Sequence, residues 1–160
     1  MVTITDYAAV FTAIASTGAA IFILLELRHM EKHRNLEISM KLFEWAETDR
    51  LRKAFWWVKK QFVFEEFDKH RAEVEEKLEA NDYPDQVESF FEEAGFLVNK
   101  KFVDIDVIAD RLGADIISNW RKLEPWIGAI RKERGEPTFG EHFQLLYEKT
   151  LKQTRKKVIN

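Results

Sequence analysis

The chain opens with an apolar stretch that has no polar face, and helical periodicity follows it. From Tyr7 to Leu25 no residue is charged. As a helix this stretch would extend roughly 28 Å at 1.5 Å per residue, close to the ~30 Å hydrocarbon core of a bilayer. A surface helix would need a polar face, and only Thr12, Ser16 and Thr17 could supply one. The pattern predicts a transmembrane helix. The alternative is a soluble helical domain that buries residues 7–25 centrally, and dimerisation through this helix would be one way to bury it.

Downstream of this stretch, apolar residues recur at the spacing of helix faces, and no alternating β pattern is present. The fold predicted is all-α: a single N-terminal transmembrane helix followed by a small cytosolic helical bundle. Residues 1–34 would form the membrane anchor with its juxtamembrane segment, and residues 35–160 the helical cytosolic domain. The predicted inward faces are Leu36, Met40, Phe43 and Ala46; Leu51, Phe55, Val58 and Phe62; Phe67, Val74 and Leu78; Val87, Phe90, Phe91, Ala94, Leu97 and Val98; Ile116, Trp120, Leu123, Ile127 and Ile130; and Phe139, Phe143, Leu146, Tyr147 and Leu151.

Residues that typically begin or end helices divide the second half of the chain. Asp104 can cap a short helix, for which Gly113 is well placed as the residue after its end. Pro125 should kink or interrupt the helix that follows. Thr138 and Glu141 have the spacing of a capping box, which predicts the start of the last helix.

The segment "ETDRLRKAFWWVKKQF" combines an apolar face with many cations. Thr48 or Asp49 can serve as its N-cap. Trp56 and Trp57 would widen the apolar face. Such a helix either packs in the core with lysine stems over its rim or lies on an anionic bilayer surface, and we expect the core.

The charges of the chain are segregated although its net charge is only −3. This balance argues against a nucleic-acid partner, which would need a basic surplus. Residues 65–93 are strongly acidic and could dock a basic protein partner, whereas the tail from Lys149 contains only basic charges. The chain has no cysteine, which excludes thiolate chemistry and cysteine-based metal sites.

The flanks of the apolar stretch predict its orientation. Arg28, Lys32 and Arg34 follow it, whereas no basic residue precedes it. The positive-inside rule then places the N-terminus outside and the C-terminal domain in the cytoplasm, on a single-pass protein of the cell membrane. A cleaved signal peptide fits less well because the N-terminal flank carries Asp6 and no positive charge. Small residues recur every fourth position from Ala8, so the span could also self-associate as a homo-oligomer.

Two groups of residues could hold a metal ion. Glu26, His29 and His33 share one helix face, and two imidazoles one turn apart with a carboxylate can chelate a divalent ion. The simpler interpretation is that they lie at the lipid headgroup boundary. A second candidate group for metal binding or acid–base work consists of Glu92, Glu93, Asp104, Asp106, Asp110 and Asp115.

Residues 90–127 contain a regular series of packing and capping residues, namely Phe90, Phe91, Glu92, Glu93, Gly95, Val103, Asp104, Leu112, Gly113, Trp120, Leu123 and Pro125. With these residues the stretch resembles a prokaryotic family of short proteins known only as a domain of unknown function. The resemblance implies one N-terminal hydrophobic helix with a helical cytosolic domain, and it brings neither an activity nor catalytic residues.

The sequence therefore predicts a membrane-anchored, non-enzymatic interaction module. No nucleophile–base arrangement, Gly-rich phosphate loop or zinc-protease motif is present, and no cofactor is implied. The partners expected are the lipid bilayer and a protein partner or a second copy of the chain. A metal-dependent enzyme or sensor is the remaining alternative.

Overall fold

The structure, a computed structural model, describes residues 4–65 and 83–159. In these residues the chain forms five α-helices and no strand, which confirms the all-α prediction. The predicted inward face of Phe67, Val74 and Leu78 lies outside the described residues. The helices are α1 (Ile4–Ala46), α2 (Asp49–Gln61), α3 (Tyr83–Asn99), α4 (Ile105–Arg134) and α5 (Glu141–Ile159).

The chain divides into two compact units, Met1–Glu37 and Ile38–Asn160, and the boundary falls inside α1. In the first unit, every described side chain from Ala15 to Arg34 is exposed. The side chains of Tyr7 to Phe11, Ala13 and Ile14, which belong to the predicted span, lie outside the described residues. In the part of the chain that is described, no helix is long and apolar enough to cross a membrane.

In the second unit α3 packs against α2, α4 and α5, and α4 also contacts α2 and α5. The aromatic side chains of these helices form a continuous core. Phe91 stacks between Phe55 and Phe143, with ring centroids 5.2 and 4.7 Å apart, and Trp120 meets Phe143 edge to face at 5.0 Å. All four rings are buried, so the helices are held by large apolar surfaces removed from water.

The predicted apolar faces of α3 and α4 are buried as expected. On α3 this holds for Val87, Phe90, Phe91, Ala94 and Val98, with Leu97 packed at the edge of the core. All five predicted inward residues of α4 are buried as well. These faces were readable from the sequence because each of the two helices directs a 3.6-residue stripe into one core.

Other sequence predictions of helix faces and ends were wrong. Gly113 lies inside α4 and not at a helix end, and an added Cβ would be in ordinary contact with Thr150 Cγ2 at 3.4 Å. Pro125 lies within α4, which continues to Arg134, so the helix is not interrupted there; the alternative, a kink at Pro125, stays a prediction. Trp56 was expected to widen the buried face of α2, but 57% of its surface is exposed.

The sequence predicted where α2 and α4 begin, but the capping hydrogen bonds expected there are not formed. Thr48 and Asp104 are the N-cap residues of α2 and α4, yet neither side chain makes a capping hydrogen bond. Thr48 Oγ1 instead donates to the carbonyl of Trp45. The capping box from Thr138 does not start the last helix, since α5 begins only at Glu141, after Gly140 at a φ of 67°.

Candidate functional site

Polar side chains of α3 face the start of α5 along one stripe. Glu88, Glu92, Gly95 and Asn99 are spaced by four, three and four residues, so they share one side of α3. Gly95 makes this contact close, because an added Cβ would lie 2.1 Å from the carbonyl oxygen of His142. This junction brings together the buried carboxyl group of Glu88 and the half-buried side chains of Glu92, Asn99 and His142.

Glu92 caps the N-terminus of α5 from another helix. Its Oε1 accepts the backbone N–H of His142 at 3.2 Å, and its Oε2 accepts that of Phe143 at 2.8 Å. The first N–H groups of a helix have no partner within the helix, and a carboxylate there also interacts favourably with the helix dipole. Glu92, which the sequence offered as a candidate for metal binding or acid–base work, is half-buried and joins α3 to α5.

Glu88 lies one turn before Glu92 and is almost completely buried, with 5% of its surface exposed. Its Oε1 would be 3.6 Å from a Cβ added at Gly140, which places the carboxyl group beside the connection between α4 and α5. Burial, and after it the negative charges of Glu92 and Asp85, raise the pKa of Glu88 from 4.5 to about 7, and the hydrogen bond from the Ser89 hydroxyl opposes this rise. Glu88 therefore exchanges a proton near neutral pH.

The far end of the stripe is also polar. Asn99 Nδ2 lies 3.0 Å from His142 Nδ1, and the Lys149 ammonium group donates to Asn99 Oδ1. The His142 ring also meets Phe96 edge to face. Each of these groups has a protein partner, so the stripe is typical of a helix–helix contact with satisfied polar groups rather than of an open catalytic centre.

We expect Glu92→Gln to lower the free energy of unfolding by about 1 kcal/mol, because a neutral amide replaces the charged acceptor of two backbone N–H groups. Glu93→Gln is the matched control, since Glu93 is the exposed neighbour and should change stability by less than about 0.5 kcal/mol. Urea unfolding of both variants measures the difference. Equal stability of the two would mean that Glu92 does not hold the start of α5.

The candidate metal ligands do not assemble in the described residues. Glu26, His29 and His33 are exposed, and the two imidazole rings meet edge to face with centroids 4.5 Å apart. Among the residues whose positions are described, no group of three or more His, Asp and Glu side chains is placed to hold a metal ion.

The second acidic group is likewise distributed over different contacts. Asp115 makes an ion pair with Lys59 at 3.0 Å, and Asp104 is the N-cap residue of α4. Glu93, Asp106 and Asp110 are exposed. These acids therefore serve in separate places, as an ion-pair partner, as an N-cap residue and as exposed surface side chains.

Two concave surfaces flank α2. One, of about 360 Å³, opens near the N-terminus of the helix and is lined by Trp45, Thr48, Arg50, Leu51, Asp85, Gln86 and Ser89. The other, of about 470 Å³, is lined by Asp49, Arg52, Lys53, Trp56, Trp57 and Tyr83. The sequence indicated neither surface, because each depends on how α2 meets α3.

Comparison with known proteins adds a family and no activity. A family model described as a domain of unknown function (DUF4760) matches residues 10–150. No curated protein and no solved structure matches the chain.

Proposed function

The chain belongs to the DUF4760 family, and we propose that it is a membrane-anchored, non-enzymatic helical interaction module. In this proposal residues 7–25 span the bilayer, the N-terminus lies outside the cell membrane, and the helical domain lies in the cytoplasm. The lipid bilayer is its first partner. A protein partner or a second copy of the chain is its second.

One observation carries the proposal: in the first unit, a run of large apolar side chains is exposed. Ile21, Phe22, Ile23, Leu24 and Leu25 are each more than half exposed, between 54% and 65%. Contiguous exposed apolar surface is typical of membrane or protein contact sites.

The charges beside the stretch support the orientation. Arg28, Lys32 and Arg34 are exposed and immediately follow the apolar residues. Cations at this position favour the cytoplasmic side of a bilayer, where anionic headgroups attract them. The exposed acids of segment 65–93 are the proposed docking face for a basic protein. Glu65, Asp85 and Glu93 are exposed, Glu88 and Glu92 are not, and residues 66–82 lie outside the described part.

Membrane fractionation of the full chain tests the anchor. We expect the protein to stay in the membrane pellet after high salt and alkaline carbonate. The double variant Gly18→Arg with Ile21→Arg should move it to the soluble fraction, because each arginine in the middle of a span costs about 3 kcal/mol. Gly18 has no atom within 4 Å of an added Cβ, so the change does not disturb packing.

Leu36→Arg with Met40→Arg is the matched control, since these side chains are as exposed as Ile21, at 56% and 53% against 54%. They lie beyond the charge-free stretch, so the control should remain in the pellet. Release of the unmodified chain by carbonate would contradict the anchor. A soluble dimer that covers residues 15–25 would then be the better account.

A further inference from the structure

The outer face of α2 carries an exposed tryptophan. Trp56 is 57% exposed, whereas its neighbour Phe55 is only 8% exposed and belongs to the core. The core side of α2 also contains Leu51, Ala54 and Val58, and Trp56 lies on the opposite side of the helix. The large apolar ring of Trp56 is therefore exposed on the surface.

Three exposed cations share the outer side of α2 with this ring. They are Arg52, Lys53 and Lys60. Among the contacts of the described residues, none of the three makes an ion pair or a side-chain hydrogen bond, whereas Lys59 is paired with Asp115 at 3.0 Å. Asp49, in the first turn, is the acidic residue of α2, so positive charges outnumber negative charges on the outer side of this helix.

The concave surface beside Trp56 adds two further amphipathic rings. Trp57 and Tyr83 line it, with ring centroids 5.8 Å apart, and both are half-buried. Its volume is about 470 Å³, and Arg52 and Lys53 lie at its rim. Trp and Tyr rings with adjacent cations are the side chains that favour the headgroup level of a bilayer.

We propose that this α2 patch, defined as Arg52, Lys53, Trp56 and Lys60, docks on an anionic phospholipid surface. The guanidinium and ammonium groups would bind headgroup phosphates, and the indole of Trp56 would lie at the boundary with the acyl chains. The inference rests on the proposed anchor, because a tethered domain faces lipid at high effective concentration. Charge complementarity selects anionic lipid over zwitterionic lipid.

The test uses the full chain in nanodiscs of phosphatidylcholine, with or without phosphatidylglycerol, and brominated acyl chains as fluorescence quenchers. The signal of Trp56 is the difference between the unmodified chain and Trp56→Phe. We expect quenching of this signal in the anionic discs and little in the zwitterionic discs. Raising the salt concentration should reduce it, because exposed charges are screened.

The triple variant Arg52→Gln, Lys53→Gln and Lys60→Gln should lower the docked-to-undocked ratio about a hundredfold, at about fivefold per cation. Its matched control is Arg121→Gln, Lys132→Gln and Lys152→Gln, which removes the same charge from exposed positions on α4 and α5. The control should leave quenching unchanged. Circular dichroism confirms that both variants retain the helical fold.

The outcomes separate the patch from the anchor. Absence of Trp56 quenching in both lipids, in a chain that still resists carbonate, would overturn the patch and leave the anchor intact. A chain that carbonate releases, but that still binds anionic vesicles through the patch cations, would support the patch and contradict the anchor. Equal quenching in the two lipids would overturn the charge-based docking, as would tighter binding of polyglutamate than of anionic vesicles.

Discussion

Replacing Gly95 with alanine is expected to destabilise the protein by about 3 kcal/mol, at the upper end of the cost of overpacking a core. The added Cβ would lie 2.1 Å from the carbonyl oxygen and 2.5 Å from the carbonyl carbon of His142. Both atoms belong to the backbone of α5, so no side-chain rotation relieves the contact. The helices α3 and α5 would have to move apart, and the bonds from Glu92 to the start of α5 would lengthen.

Gly128→Ala is the matched control for this prediction. Gly128 also lies inside a long helix, but nothing lies within 4 Å of an added Cβ. Alanine is the better helix former, so this variant should be unchanged or stabilised by about 0.5–1 kcal/mol. Thermal or urea unfolding of both variants measures the contrast, and a similar effect of the two would mean that α3 and α5 do not approach closely at Gly95.

Replacing Glu88 with glutamine is expected to change how stability depends on pH. The pKa of Glu88 is raised to about 7 in the folded chain, from 4.5 in the unfolded chain. Below pH 4.5 the carboxyl group is protonated in both states and carries no penalty. Between these two values the unfolded chain releases the proton first, so the folded state loses stability as pH rises and the loss levels off above about 7.

The shift corresponds to about 3 kcal/mol at pH 8, from about 1.4 kcal/mol per pKa unit. Glu88→Gln should therefore match the unmodified chain near pH 4.5 and exceed its free energy of unfolding at pH 8. Urea unfolding across this pH range provides the measurement. Glu93→Gln, at an exposed acid, should leave the profile unchanged, and parallel profiles for Glu88→Gln and the unmodified chain would contradict a buried neutral carboxyl group.

The sequence predicted the inward faces of α3 and α4 because these depend on local spacing, whereas Leu36 and Met40 of α1, also predicted to face inward, are exposed. The stripes of α3 and α4 each meet a single core, so periodicity alone identified Phe90, Phe91, Ile116 and Trp120. Positions with two explanations were harder. A glycine is typical of the position after a helix end, but Gly113 lies inside α4, next to Thr150 of α5. Only the tertiary structure distinguishes a glycine at a helix end from one inside a helix.

The polar contacts could not be predicted, because they join residues far apart in the sequence. Glu92 caps a helix that begins 49 residues later at Glu141, a relation that no local motif encodes. The side of α3 that carries Glu92 packs against α5, a contact between helices far apart in the sequence. Glu88 was missed for the same reason. The exposure of Trp56 also depends on which side of α2 meets α3 and α4.

The location of residues 7–25 in a bilayer is the central claim, and thiol accessibility tests it most directly. The chain has no cysteine, so a cysteine introduced by Phe22→Cys or Leu36→Cys is its only thiol. In opened membranes that admit a charged maleimide to both faces, we predict that the thiol at position 22 is protected and the thiol at 36 reacts. Detergent should expose both. Equal labelling at the two positions before detergent is added would contradict the membrane anchor.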